Sequence, residues 1–199
     1  NNKELIKDQI LNRGFLCINN FINEEFYSLL KNNFPKKNYF IRSKNPIKFF
    51  DFGFIYLKEK NHLSENKLSV NLEASNVLKK IYSFFLSQEF ENEINDIFKL
   101  NNKKLVCKNI ISSIAEPGGF LIPHKDNIST KRDDVNVFFV YFIDGLDQDI
   151  AYSGGTSIFA DKEGSDLLLK PNSLKNNLLI YDPTKNFFHF FKTMKKNSY

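Results

Sequence analysis

Tryptophan is absent from this chain, methionine occurs once, and 199 residues hold only two cysteines and three histidines. Two cysteines are too few for a disulfide-stapled scaffold or a cysteine-built zinc site. Cys17 in Phe-Leu-Cys-Ile and Cys107 in Leu-Val-Cys sit in apolar runs, so both are expected to be buried free thiols. No apolar run is long enough to span a bilayer and no signal peptide opens the chain. The expectation is a cytoplasmic protein without a membrane partner. Because the chain starts at Asn1 and not at Met, it reads as a piece of a longer product. Basic charge is present, at a net +5, but it is dispersed in pairs such as Lys36-Lys37, Lys79-Lys80 and Lys195-Lys196. Without a basic stripe or a nucleic-acid motif, nucleic acid is not an expected partner. Internal repeats and low-complexity segments are also missing.

What is there is a phenylalanine-rich chain, with 22 of them, in a hydrophobic fraction of 42%. Its length suits a single domain, residues 1–199, in which 1–103 is helical or mixed and 104–199 is a β core. Leu5, Ile6, Ile10 and Leu11 recur at helical spacing over 2–12. Arg13-Gly14 interrupts, and Phe15-Leu16-Cys17-Ile18 reads as a short strand. Asn23 is placed to cap a helix with Glu24 and Glu25 in its first turn and Pro35 past its end. Residues 39–58 are aromatic and β-prone, while 59–71 are polar and read as a loop. A second helical stretch spans 72–98, with a break near Ser87-Gln88. Beyond Lys104 come short apolar runs at 104–115, 119–124, 136–143, 156–160, 166–169, 177–181 and 186–192, separated by turn residues. Strands at that spacing indicate an all-β barrel or sandwich.

The scarcity of histidine makes the placement of each one informative. His62 lies in the polar stretch after Lys-Glu-Lys-Asn and reads as solvated. His124 belongs to Phe-Leu-Ile-Pro-His-Lys-Asp-Asn, residues 120–127. Residues two apart on a strand face one side, so His124 and Asp126 point together while Lys125 points away. An imidazole nitrogen beside a carboxylate oxygen is a donor pair that iron(II) and manganese(II) accept. His189 stands in Asn-Phe-Phe-His-Phe-Phe, residues 186–191, a wall so apolar that its nitrogens must be satisfied or bind something. Brought together, His124, Asp126 and His189 form a 2-His-1-carboxylate facial triad with open positions on the ion. A His-x-Asp triplet alone is common, and a lone strand histidine is more often core than ligand. The ordered series is more specific: His-x-Asp, then Gly154-Gly155 thirty residues on, then a strand-borne His sixty-five residues after the first.

In that order of motifs the chain resembles the iron(II)/2-oxoglutarate-dependent dioxygenases, in their prolyl-hydroxylase-like branch. The matching segments are 116–127, Val-Phe-Phe-Val-Tyr-Phe-Ile at 137–143, Ser-Gly-Gly-Thr-Ser-Ile-Phe at 153–159, and Asn-Leu-Leu-Ile-Tyr-Asp at 177–182 leading into 187–191. Upstream, Gly14-Phe15 and Asn20–Glu25 resemble the stretch that leads into the barrel. The resemblance implies a mainly β fold with N-terminal helices around a double-stranded β-helix, the jelly-roll or cupin-like core. His124 and Asp126 would lie on its second strand and His189 on its seventh, with Gly154-Gly155 turning tightly beside the site. It implies iron(II) as cofactor, with 2-oxoglutarate and dioxygen as co-substrates. The reaction would be oxidative decarboxylation to succinate and carbon dioxide, coupled to hydroxylation of a peptidyl side chain or a small metabolite.

Two departures from that pattern stand out. The family's basic residue for the distal carboxylate of 2-oxoglutarate falls nine or ten residues after the last His, where this chain has Ser198 and Tyr199. The expectation is a core that lacks its last strand because the C-terminus is cut. Lys192 and Arg132 are the substitutes within the chain, and strand alternation turns Lys192 away from the face of His189. The family's tyrosine about ten residues before His124 is replaced by the stretch of Ile114 and Ala115, leaving Asn109, Ser113 and Tyr141 as candidate co-substrate contacts. Two other classes stay open: a cupin-type metal- or sugar-binding barrel without 2-oxoglutarate chemistry, and an interaction module in which both histidines are structural. Substrate choice is assigned to loops at 40–70, 127–135 and 144–153. Oligomeric state is not legible.

Overall fold

The computed structural model describes residues 2–35, 41–42, 48–49, 51–57, 62–64, 72–98, 109–126, 137–145 and 154–194. Arg132, Cys107 and most of the three loops assigned to substrate choice lie outside those residues. The N-terminal third holds α1 (Asn2–Arg13), β1 (Phe15–Asn19) and α2 (Glu24–Asn32). The short strands β2 (Ile41–Arg42) and β3 (Lys48–Phe49), then β4 (Asp51–Leu57) and β5 (His62–Ser64), precede α3 (Leu72–Phe85) and α4 (Gln88–Phe98). Seven strands follow: β6 (Asn109–Ile114), β7 (Phe120–His124), β8 (Phe138–Phe142), β9 (Ser157–Phe159), β10 (Leu167–Leu169), β11 (Asn177–Tyr181) and β12 (Phe188–Phe191). Each of the seven falls inside an apolar run expected from the sequence. Among the described residues, no helix is long and apolar enough to cross a membrane.

Local chemistry sets the element ends. Gly14, at φ +83°, closes α1 by donating its N–H to the Ile10 carbonyl, a left-handed cap that favours glycine. The Asn23 side chain caps α2 by accepting from the Phe26 N–H at 2.8 Å. Ser87 makes the break between α3 and α4: its hydroxyl donates to the Phe84 carbonyl and accepts from the Phe90 N–H. One side chain thus ends a helix and starts the next. Two expectations shift. Residues 62–64 form a strand paired with β4, so His62 belongs to a sheet and not to a loop. Of the apolar residues of α1, Ile10 is buried, but Leu5 and Leu11 are exposed, because the helix lays only a narrow stripe on the sheet.

Among the described residues three sheets are built, all of antiparallel pairs. One has the order β1-β11-β8, a second β10-β9-β12-β7-β3, and a third β2-β4-β5 with β6 also on β4. N-terminal strands therefore complete sheets whose other members lie past residue 109. Strand β11 is central and buried along its whole length, with opposite contacts on its two faces. Leu178 and Ile180 pack with Leu16 beneath α1 and α4, through Ile10 and Ile94. Leu179 and Tyr181 pack with Phe15 against Ile158 and Phe187, which come from the second sheet or its margin. A strand covered on both faces reads as an unbroken apolar run, which is what Asn-Leu-Leu-Ile-Tyr is. Full burial of residues such as Leu178, Leu179 and Ile158 stabilises the fold by roughly 1.5–3 kcal/mol each.

Asn176 ties the start of β11 to the segment before α2. Its side chain accepts from the Ile22 N–H at 3.0 Å and from the Tyr141 hydroxyl at 3.0 Å, and donates to the Ile22 carbonyl at 2.7 Å. It does so at φ +49°, a left-handed conformation that asparagine tolerates better than most residues. Cys17 is half-buried, less so than expected, and its thiol donates to Asn177 Oδ1 at 2.9 Å. Burial pushes that thiol up to about 11.

Candidate metal centre

Three donor side chains meet where β7 and β12 pair. His124 and His189 are direct cross-strand partners, and their rings lie 4.2 Å apart. Asp126 follows just past the end of β7, closer to a loop than the sequence suggested, yet it keeps the side of His124. Its Oδ1 lies 3.8 Å from His124 Nε2 and its Oδ2 lies 3.6 Å from His189 Nε2. One donor atom from each of the three residues falls within 4.8 Å of the others, and no other such group of at least three histidine, cysteine or acidic side chains occurs among the described residues. Counted from β6 among the described strands, His124 stands on the second and His189 on the seventh.

The sequence sets the aim of His124 through its neighbour. From Leu121 to His124 is three steps on β7, against two from Phe191 to His189 on β12, so β7 carries one extra residue there. The irregularity falls at Ile122-Pro123, where proline has no N–H to give to a ladder. His124 Nδ1 lies 2.8 Å from the Ile122 carbonyl. A carbonyl can only accept, so Nδ1 carries a proton, and Nε2 is the nitrogen left to offer a lone pair toward the cluster. On the opposite face, Lys125 lies over the Phe188 ring at 4.5 Å and bonds Asn186 Oδ1, as alternation predicts.

Electrostatics favour a ligand role for His189. The residue is 5% exposed, and burial drives its imidazole down to about 4. The Asp126 charge opposes that fall and His124 adds to it. His189 is thus neutral near pH 7, as a ligand must be. Two imidazoles and one carboxylate, aimed at each other with only partial solvent access, fit a divalent first-row ion in chemistry and spacing.

A residue that the sequence reading missed completes the cluster. The Tyr181 hydroxyl donates to Asp126 Oδ2 at 2.9 Å and lies 3.5 Å from His189 Nε2. Burial first, and the Asp126 charge second, raise its ionisation far above the usual phenol range, so the hydroxyl keeps its proton. The alternation of β11 was the available signal, since it sets Tyr181 with Leu179 on the face toward the second sheet. The strand order that puts this face over Asp126 is not local information.

The candidate co-substrate residues separate. Tyr141 pairs with Leu178 in register and packs under the helices, with its hydroxyl on Asn176. That is the opposite face of the sheet from Tyr181, so Tyr141 is not brought to the cluster. Asn109 opens β6, but its side chain lies outside the described ones. Ser112 faces the helices, with its hydroxyl 2.7 Å from that of Tyr82, which leaves the exposed Ser113 on the other face. Lys192 is exposed just past β12, and the positions of Ser198 and Tyr199 lie outside the described residues. Gly154 stands in a turn at φ +86°, and a Cβ there would sit 3.3 Å from Met194 Sδ.

Comparison with known proteins bears on the fold. No known protein-family profile matches the chain, and no curated protein is significantly similar to it in sequence. Solved structures are similar over nearly its whole length. A prolyl hydroxylase from Trichoplax adhaerens, solved with a peptide fragment of the hypoxia inducible factor oxygen degradation domain, has a TM-score of 0.64 at 17% identity, covering 96% of this chain and 82% of its own. A Pseudomonas putida prolyl-4-hydroxylase has a TM-score of 0.61 at 12% identity, with coverage of 97% and 92%. A 2OG-Fe(II) oxygenase family oxidoreductase from Burkholderia pseudomallei has a TM-score of 0.60 at 10% identity, with coverage of 98% and 86%. The chain shares the fold of the prolyl-hydroxylase-like 2-oxoglutarate oxygenases.

Proposed function

We propose that this chain is a non-haem iron(II) hydroxylase that uses 2-oxoglutarate and dioxygen, on a double-stranded β-helix. The observation that carries the reading is the meeting of His124, Asp126 and His189 at a cross-strand pair, inside the fold that such oxygenases use. His124 and His189 would hold the ion through Nε2, and Asp126 through a carboxylate oxygen. When bound, iron(II) supplies oxidative decarboxylation of 2-oxoglutarate coupled to hydroxylation of a C–H bond.

The chain's own residues do the rest. The Ile122 carbonyl fixes the His124 tautomer, burial keeps His189 neutral, and the apolar side chains of Phe15, Ile158, Leu179 and Phe187 keep water from that flank. Ser113, on the face of β6 away from the helices, Asn109 and Arg132 are the candidate contacts for 2-oxoglutarate. A peptidyl substrate suits the reading, since the Trichoplax structure holds a peptide. Fold and cofactor do not fix the substrate, and a small metabolite suits the site equally.

The test is succinate formation from 2-oxoglutarate by purified protein, with and without iron(II) under air. Succinate that requires iron(II), and that His124→Ala, Asp126→Ala and His189→Ala each abolish together with metal retention, supports the proposal. Metal retention unchanged in His124→Ala and His189→Ala sinks it. Tight metal binding without 2-oxoglutarate turnover favours the cupin-type barrel.

A further inference from the structure

Asp126 presents its two oxygens to different neighbours. Oδ1 faces His124 Nε2 at 3.8 Å, and Oδ2 faces His189 Nε2 at 3.6 Å. A carboxylate so placed has two ways to bind an ion in the cluster, through one oxygen or through both. The difference matters to any reaction there. On a six-coordinate ion, two imidazoles and a one-oxygen carboxylate leave three positions, whereas a two-oxygen carboxylate leaves two. A bidentate co-substrate together with dioxygen needs three.

One group discriminates between the two oxygens. The Tyr181 hydroxyl lies 2.9 Å from Oδ2, and an ionised carboxylate is the stronger acceptor within its reach. Its ring is held firmly. Tyr181 is 3% exposed, it stacks on its cross-strand partner Phe138 at 5.4 Å and 12°, and it meets Phe187 edge-on at 6.0 Å. A phenol clamped between two rings on a fully buried strand has little freedom to leave Oδ2.

We propose that Tyr181 is a positioning residue: by holding Asp126 Oδ2, its hydroxyl restricts the carboxylate to one metal bond, through Oδ1, and so keeps a coordination position open. The inference rests on the reading that the three donors bind a metal ion. Removing an outer hydrogen bond of this kind weakens metal affinity about ten- to a hundredfold in known sites.

The experiment titrates metal-free wild type and Tyr181→Phe with Mn(II) by calorimetry, and records the visible spectrum of each with Co(II). Expected are equal stoichiometry, about ten- to a hundredfold weaker Mn(II) binding by Tyr181→Phe, and an altered Co(II) spectrum from a changed ligand count. Affinity within twofold of wild type and superimposable Co(II) spectra overturn the inference. A ferric–phenolate charge-transfer band in the iron(III) protein, lost in Tyr181→Phe, makes Tyr181 a ligand and overturns it also. If Tyr181→Phe fails to fold, the infrared carboxylate stretches of Mn(II)-loaded wild type decide the matter. A one-oxygen splitting supports the proposal and a two-oxygen splitting refutes it. Absence of metal binding by wild type fails the proposed function itself, a result distinct from all of these.

Discussion

Acidifying the metal-free protein from pH 7 toward pH 4 should destabilise it, in part through His189. In the folded chain its imidazole titrates near 4, because burial in the aromatic wall disfavours the charged ring. In the unfolded chain it returns to its ordinary 6.5. Between those values the unfolded state takes up a proton that the folded state refuses, so stability rises with pH and falls as pH drops. The loss begins as pH passes 6.5 and is complete near 4. Taken over that interval, at about 1.4 kcal/mol per pH unit, it amounts to about 3 kcal/mol. His189 is 5% exposed, so solvent screening removes little of it. The assay is urea unfolding of chelator-treated protein at half-unit steps from pH 4 to 7.5, for wild type and His189→Asn. The difference between the two curves isolates the His189 contribution, which should shrink steadily toward pH 4. Parallel curves would refute the reasoning, because they would mean that His189 titrates alike in both states. With Mn(II) added the dependence should steepen, since protons then compete with the ion for the same nitrogen.

Three further outcomes follow from the geometry. Asn176→Ala removes three side-chain hydrogen bonds, strands the Ile22 backbone groups and puts alanine at φ +49°, so urea unfolding should show a loss of about 3–5 kcal/mol. Asn176→Gly relieves only the backbone and should recover about 1 kcal/mol of it, so equal stability of the two variants would contradict the account. Gly164→Ala should cost about 2–4 kcal/mol, because a Cβ at φ +72° would overlap the Phe190 ring, which stacks on Phe159 at 4.2 Å; a shift in Tm under 2 °C would contradict it. Ser87→Ala should destabilise by about 1 kcal/mol through loss of the α4 cap, with no change in Mn(II) affinity.

Legibility in the sequence tracked how local each feature is. The seven runs past residue 104 contained strands because apolar alternation and turn residues act within a few positions. Ser87 marked the helix break for the same reason. The pair of His124 and Asp126 follows from a period of two, and His189 from motif order. The face that carries Tyr141 was not legible, because β8 is apolar on both faces and periodicity could not say which one meets the helices. Residues 62–64 pair with β4 despite polar surroundings, a contact that composition does not encode. Tyr181 was missed because its partner lies 55 residues away, just past the end of a strand in another sheet.

The one-residue offset at Ile122-Pro123 has a consequence for assembly. Successive residues of a strand face opposite sides, so a slip of β12 by one position would put Phe188 or Phe190 opposite His124 and turn the imidazole of His189 outward. Only one alignment of the two strands closes the three-donor cluster. An ion that binds that alignment and no other would draw the population toward it by mass action. During folding the metal would then act as a gauge of strand alignment, before it ever meets a substrate.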